Sequence, residues 1–120
     1  RFDFSEDAGS MHVVLRWSLL AAAAESFGFY KDSEGTLRIA TYNLSLNRNS
    51  QGELVSDLVT GDAQARLVAE VIQRAAPDVI LLNEFDYDDA AEGLRLFQES
   101  YLAVSQNGAT PLTFDYFFLA

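Results

Sequence analysis

Two polar residues, Asn43 and Glu84, each follow a short apolar run that is typical of a β-strand. The first run spans 37–42, and the second, 79–82, is continuously apolar, as in a strand covered on both faces. If these strands are parallel neighbours, both side chains lie at the edge where open α/β sheets bind ligands. A carboxylate and an amide at that edge suit a hard cation, Mg²⁺ or Mn²⁺, and the Asn43 amide can instead donate to a phosphate.

Both residues also have a purely structural explanation, because strand ends are common positions for polar turn residues. In that case Asn43 caps the turn after its strand, and Glu84 caps a following helix. The spacing of the residues alone leaves the two explanations open.

The segment 62–76 predicts the helix that must join the two strands. Asp62 is suited to its N-terminus, and Pro77 ends it. Apolar side chains recur at helical spacing, at Leu67, Val68, Val71, Ile72 and Ala75. The exposed face is expected to carry Gln64, Arg66, Glu70 and Gln73. A strand, a helix and a second strand predict parallel pairing through a right-handed crossover, and therefore an α/β fold.

The two strand sequences resemble the opening of the endonuclease/exonuclease/phosphatase superfamily. They read Arg-Ile-Ala-Thr-Tyr-Asn at 38–43 and Pro-Asp-Val-Ile-Leu-Leu-Asn-Glu at 77–84. Members of that superfamily begin with a strand that ends in Asn, followed by a helix and a strand that usually ends in Gln-Glu. The segments 45–48 and 83–88 are similar to a bacterial branch. Asn83 departs from the pattern, since Gln is commoner there.

The resemblance, which covers about 37–120, implies a function and a fold. By position, Asn43 matches the active-site Asn and Glu84 the magnesium-binding Glu. The implied fold is a four-layer α/β/β/α sandwich, and its two sheets need more than 120 residues. We therefore expect residues 36–120 to form the first half of that domain, with open apolar surface at 79–82 and 114–119.

The implied activity is metal-dependent hydrolysis of phosphodiester or phosphomonoester bonds, with a phosphate ester, including nucleic acid, as substrate. The family's Gly-Asp-x-Asn segment and late Asp-His pair match nothing here, and His12 precedes the first strand. The 120-residue chain by itself is thus expected to be inactive. The alternative is a non-catalytic binding or structural module that keeps the fold.

Further candidate residues lie just beyond the two strands. Arg48 has a guanidinium that matches phosphate geometry, and Asn47 is beside it, although a solvated loop arginine is the ordinary alternative. Asp86, Asp88 and Asp89 could add metal ligands. We favour instead an acidic first turn for a helix over about 88–100, where negative charge is stabilising.

Charge and the N-terminal segment bear on partners and localisation. The formal net charge of −10 argues against tight, non-specific binding of long nucleic acid.

Residues 1–35 form an extension in which 11–24 is either an amphipathic helix or a residual export signal, followed by a linker. The apolar run there is too short to span a membrane. An export signal would imply a secreted or periplasmic protein, and its absence a cytoplasmic one.

Overall fold

The computed structural model describes residues 12–15, as backbone only, and 38–119. They form a mixed α/β structure in which helices lie against a four-stranded sheet. In chain order the elements are β1 His12–Leu15, β2 Ile39–Leu46, α1 Glu53–Thr60, α2 Ala63–Ala75, β3 Val79–Phe85, α3 Glu92–Phe97 and β4 Tyr116–Leu119, with α3 continuing as a π-helix over Gln98–Leu102.

The sheet has the strand order β2-β3-β1-β4. Strands β2 and β3 pair in parallel, with partners running from Ile39 and Val79 to Asn43 and Asn83. The predicted parallel pairing is therefore confirmed. Strand β1 lies between β3 and β4 and is antiparallel to both.

The N-terminal extension contains a strand where a helix was one of the two alternatives. His12–Leu15 is extended and paired on both sides, so the helical alternative is wrong for these four residues. Two successive valines favour a strand, and pairing with β3 and β4 provides partners for the strand's backbone groups. The export-signal alternative and the linker concern residues outside those described.

Helix α2 has the predicted bounds but a different buried face. The Asp62 carboxylate accepts a hydrogen bond from Ala65 N at 2.6 Å, which makes it the N-cap. Leu67 and Val71 are 64% and 48% exposed, respectively. The buried residues are Ala65, Val68, Ala69, Ile72 and Gln73. The expected exposure of Gln73 is therefore wrong, since this side chain is buried and has polar partners in the interior.

The core lies on one face of the sheet, between the strands and the helices. Ile80 and Leu82 of β3 are buried there, so the expected exposure of 79–82 is wrong for them. The core also contains Leu44, Leu46, Leu54, Leu58, Phe85, Leu94, Phe97 and Leu102. The expected exposure of 114–119 is confirmed for the aromatic side chains at 116–118 and wrong for Phe114, which is buried in the core.

The other face of β2 and β3 is more open. Along β2 the exposed residues are Ile39, Thr41, Asn43 and Ser45. The register partners of the first three, Val79, Leu81 and Asn83, are half-buried. Among the described residues, no helix combines the length and apolarity needed to cross a membrane.

Gln73 links α2 to the end of the π-helix. Its Nε2 donates to Leu102 O at 2.8 Å and to Val104 O at 2.7 Å, and its Oε1 accepts from Gln106 N at 3.0 Å. The last carbonyls of a helix need such partners when they are buried. Tyr101 of the π-helix similarly joins α1 to the start of α2, since its hydroxyl donates to Leu58 O at 2.7 Å and accepts from Asp62 N at 2.9 Å.

We predict that Gln73→Met lowers the free energy of unfolding by about 1–3 kcal/mol, because it leaves buried backbone groups without partners. Urea titration followed by circular dichroism measures this. Gln51→Met is the control, since Gln51 is exposed. Equal stabilities of the two variants would contradict the structural role of Gln73.

Candidate functional site

The ends of β2 and β3 form a β-bulge rather than a regular ladder. Asn43 pairs with Asn83, but the next pair is Leu46 with Phe85, so β2 has one extra residue. Ser45 and Glu84 lie inside the bulge with φ angles of 49° and 54°. For residues other than glycine this left-handed conformation costs about 1–2 kcal/mol each. Bulges of this kind redirect side chains and often lie beside functional sites.

The Asn43 side chain has its oxygen engaged and its nitrogen open. Asn43 Oδ1 accepts from Ser45 N at 3.0 Å and from Ser45 Oγ at 3.4 Å. Since a backbone N–H can only donate, the amide atom facing it must be the oxygen. Asn43 therefore caps its own turn, and its two Nδ2 protons have no acceptor among the described residues. The exposed side chain can donate to an anion while it performs this structural role.

Glu84 does not cap a helix. That position is taken by Asp88, whose carboxylate accepts from Glu92 N at 2.7 Å and Gly93 N at 2.9 Å. Glu84 is half-buried, and its carboxylate has no hydrogen bond or ion pair with the described residues. The Glu84 carboxylate therefore has acceptor oxygens that no described residue uses.

Gln64, in the first turn of α2, contacts the bulge directly. Its Nε2 donates to Ser45 O at 2.8 Å and to Leu44 O at 3.4 Å. The sequence predicts Gln64 on the exposed face of the helix. It is exposed, but the contact was missed because it depends on how the helix lies across the bulge.

Arg48 and Asp86 join the segments that follow the two strands. Arg48 N donates to both carboxylate oxygens of Asp86 at 3.0 Å. The Arg48 guanidinium donates through Nε to Asp57 at 2.8 Å and through Nη2 to Asp62 at 3.3 Å. The hydrogen bond from Arg48 to Asp57, assisted by the charge of Asp62, raises the pKa of Arg48.

The remaining predicted site residues are Arg48, Asn47 and Asp88, and the structure gives a position for each. Arg48 is engaged with carboxylates, and its Nη1 also donates to the Asn47 carbonyl at 3.2 Å, so the predicted phosphate contact of Arg48 competes with these bonds. Asn47 is exposed. Asp88 has the helix-terminal role favoured from sequence, although the helix begins at Glu92.

Tyr87 lies in sequence between Asp86 and Asp88. A hydrogen bond to Asp89 raises the pKa of Tyr87 above its ordinary value. A phenol is already protonated at neutral pH at its ordinary pKa of about 10, so the direction of this shift makes Tyr87 still less suited to act as a general base.

Metal ligands in the described part of the chain are sparse. In that part, no three or more His, Cys, Asp or Glu side chains are grouped so that they could hold a metal ion. Magnesium in proteins is commonly held by one or two carboxylates and keeps several waters, so the single carboxylate of Glu84 fits such a site as one of its ligands.

Comparisons with known proteins add no assignment. No protein-family model matches the chain, and neither curated proteins nor solved structures give a match.

We predict that Arg48→Met lowers the free energy of unfolding by about 1–2 kcal/mol, because it removes charge-assisted hydrogen bonds to two partly exposed carboxylates. Arg95→Met is the control, since its i,i+4 pair with Glu99 is exposed and is worth at most about 0.5 kcal/mol. Urea denaturation of both variants gives the comparison. A loss for Arg48→Met no larger than for Arg95→Met would contradict the network's contribution.

Proposed function

We propose that this chain contributes part of the active site of a metal-dependent phosphoesterase, of nuclease or phosphatase type. The observation that carries the proposal is the pair of side chains at the bulge. Glu84 is half-buried without a partner in the described structure, and Asn43 has a free amide NH₂ on the neighbouring parallel strand. The strained left-handed conformation of Glu84 supports a functional role, because such strain is concentrated at functional sites.

In the proposed site, Glu84 would supply negative charge and Asn43 a hydrogen-bond donor. Glu84 would hold a divalent cation, Mg²⁺ or Mn²⁺, as one carboxylate ligand. When bound, that cation would supply positive charge against the phosphoryl oxygens. Asn43 would donate from Nδ2 to a phosphoryl oxygen, since its Oδ1 is already shared between two donors of Ser45. Of the two roles predicted for Asn43, this engagement favours phosphate donation over metal ligation.

The four-layer sandwich and membership of the endonuclease/exonuclease/phosphatase superfamily are part of this proposal. The outer face of the sheet supports it, since Ile39 and Phe118 are 72% and 64% exposed there. A second sheet packed on that face would bury them and bring further groups to the edge that carries Asn43 and Glu84. The base that activates the attacking water would come from those further groups.

A non-catalytic binding module is the second candidate. It is favoured by strand β4, where Tyr116, Phe117 and Phe118 are 56%, 47% and 64% exposed. Exposed aromatic side chains grouped on one strand are typical of binding surfaces.

We predict that Mn²⁺ broadens the backbone amide NMR signals around Glu84 and Asn43, and that Mg²⁺ reverses the broadening by competition. Glu84→Gln should weaken this response about tenfold, which corresponds to ~1.4 kcal/mol, because it removes the ligand charge. The control is Glu92→Gln, which changes an exposed carboxylate in the first turn of α3. The metal assignment fails if the broadening is the same in wild type and Glu84→Gln.

Hydrolysis tests the catalytic part of the proposal. We predict that the 120-residue chain does not cleave bis(p-nitrophenyl) phosphate or plasmid DNA with Mg²⁺, because no base is matched to its residues. A parent protein that contains the expected Gly-Asp-x-Asn and Asp-His segments should cleave one of them, and chelation should stop it. In that parent, Glu84→Gln should reduce the rate by about 100-fold or more, and Asn43→Ala should reduce it less.

The same parent with Glu92→Gln is the control and should keep its rate. Full activity in the Glu84→Gln parent would rule out the catalytic role. A parent without hydrolytic activity, whose ligand binding depends on the exposed β4 aromatics, would instead support the binding module.

A further inference from the structure

We infer that Gln64 is a positioning residue, which fixes the Asn43 amide with its NH₂ directed to a phosphate ligand. The inference rests on the proposed function for the identity of the ligand. The contact itself rests on hydrogen bonds from Gln64 to the backbone of Leu44 and Ser45, the two residues that follow Asn43.

The hydrogen bonds form a short relay from helix α2 to Asn43. Gln64 Nε2 holds the Ser45 carbonyl at 2.8 Å. The N–H of the same residue, Ser45, donates to Asn43 Oδ1 at 3.0 Å. Gln64 Nε2 also donates to Leu44 O at 3.4 Å, and that carbonyl belongs to the same planar peptide unit as the Ser45 N–H. Restraining the two carbonyls therefore helps to keep the Ser45 N–H turned toward Asn43, and that N–H determines which end of the Asn43 amide remains available.

Ser45 needs such a restraint because its conformation is strained. Its φ of 49° lies in the left-handed region, which a serine adopts at a cost of about 1–2 kcal/mol. Without Gln64, relaxation of Ser45 would carry its N–H away from Asn43 Oδ1. The amide could then rotate and present its oxygen, which repels a phosphate, as readily as its nitrogen.

The other end of the relay is anchored by several contacts at the start of α2. The Asp62 carboxylate caps the helix through Ala65 N at 2.6 Å and accepts from Arg48 Nη2 at 3.3 Å. Asp62 N donates to the Tyr101 hydroxyl at 2.9 Å. Gln64 thus extends from a fixed helical turn, two residues after its cap. An exposed glutamine in this place can hold the bulge without contributing to the core.

The test uses the 120-residue chain labelled with ¹⁵N and two variants. Gln64→Met keeps the length of the side chain and removes its amide, and Gln64→Glu keeps its shape and replaces the donor with a carboxylate. Leu67→Met is the matched control, since it changes an exposed side chain on the same helix. Three readouts are followed: exchange of the Ser45 amide proton, ¹⁵N relaxation of Asn43 Nδ2, and the shift of the Asn43 side-chain signals on titration with dimethyl phosphate.

We expect both Gln64 variants to exchange the Ser45 amide proton roughly fivefold faster, the factor that corresponds to one net hydrogen bond. Asn43 Nδ2 should become more mobile, and its initial response to dimethyl phosphate should fall by a similar factor, while the melting temperature stays close to that of Leu67→Met. A merely structural role for Gln64 would change the melting temperature but not the Asn43 side-chain relaxation.

The possible failures are distinguishable. Wild-type relaxation of Asn43 Nδ2 in both Gln64 variants overturns the inference and leaves the proposed function intact. A wild-type Asn43 amide that does not respond to dimethyl phosphate contradicts its donor role in the proposed function, and with it the phosphate-positioning role of Gln64.

Discussion

The parallel pairing of β2 with β3 is the constraint on which the rest of the described structure depends. Parallel neighbours cannot be joined by a tight turn, so the chain must return along the sheet before β3 begins. Closing such a long connection costs conformational entropy, which contacts within the connection must offset. Helices α1 and α2 form this crossover, and the polar contacts of Arg48, Asp62 and Tyr101 hold its turns. Parallel pairing brings the carboxyl ends of both strands to one edge of the sheet, which an antiparallel hairpin would not do.

At that edge two residues adopt a backbone conformation that their residue types disfavour. Neither Ser45 nor Glu84 favours a left-handed backbone, yet both adopt it within one bulge. A glycine at either position would relieve the strain. The surrounding hydrogen bonds, from Gln64 and from the Asn43 turn, maintain the conformation at a cost to stability. A strained backbone conformation that neighbouring hydrogen bonds maintain is expected to matter for function more than for folding.

The parts of the fold that could be predicted are those determined by local chemistry. Asp62 and Pro77 bound α2 because a cap and a helix breaker act within one turn, and two apolar runs separated by a helix imply parallel strands. The buried face of α2 could not be predicted, because a glutamine such as Gln73 is typical of a surface position until the carbonyls of Leu102 and Val104 are placed beside it. Strand β1 was missed for a related reason, since its partners β3 and β4 are distant in sequence.

In the candidate site, too, local features could be predicted and features that depend on tertiary contacts could not. Asn43 and Glu84 could be selected because each stands at the end of an apolar run, but the bulge between them depends on the strand register. The role of Gln64 requires the crossing of α2 over that bulge, which no local pattern records. Arg48 was selected for a charge that matches phosphate, and the structure shows the opposing charges, at Asp57 and Asp62, that sequence proximity did not reveal.

The distribution of charge gives a final physical argument about the strand edge. Three of the five described arginines, Arg48, Arg74 and Arg95, are paired with carboxylates, and the other two, Arg38 and Arg66, have no ion pair with the described residues. The whole chain has a net charge of −10. An anionic ligand at the bulge therefore receives little attraction from the three paired arginines. Neutral amide donors can orient a phosphate but cannot neutralise it, and the nearby acids would repel it. In the proposed function, a divalent cation on Glu84 would reverse the sign of the local field, and phosphate binding would then depend on the metal.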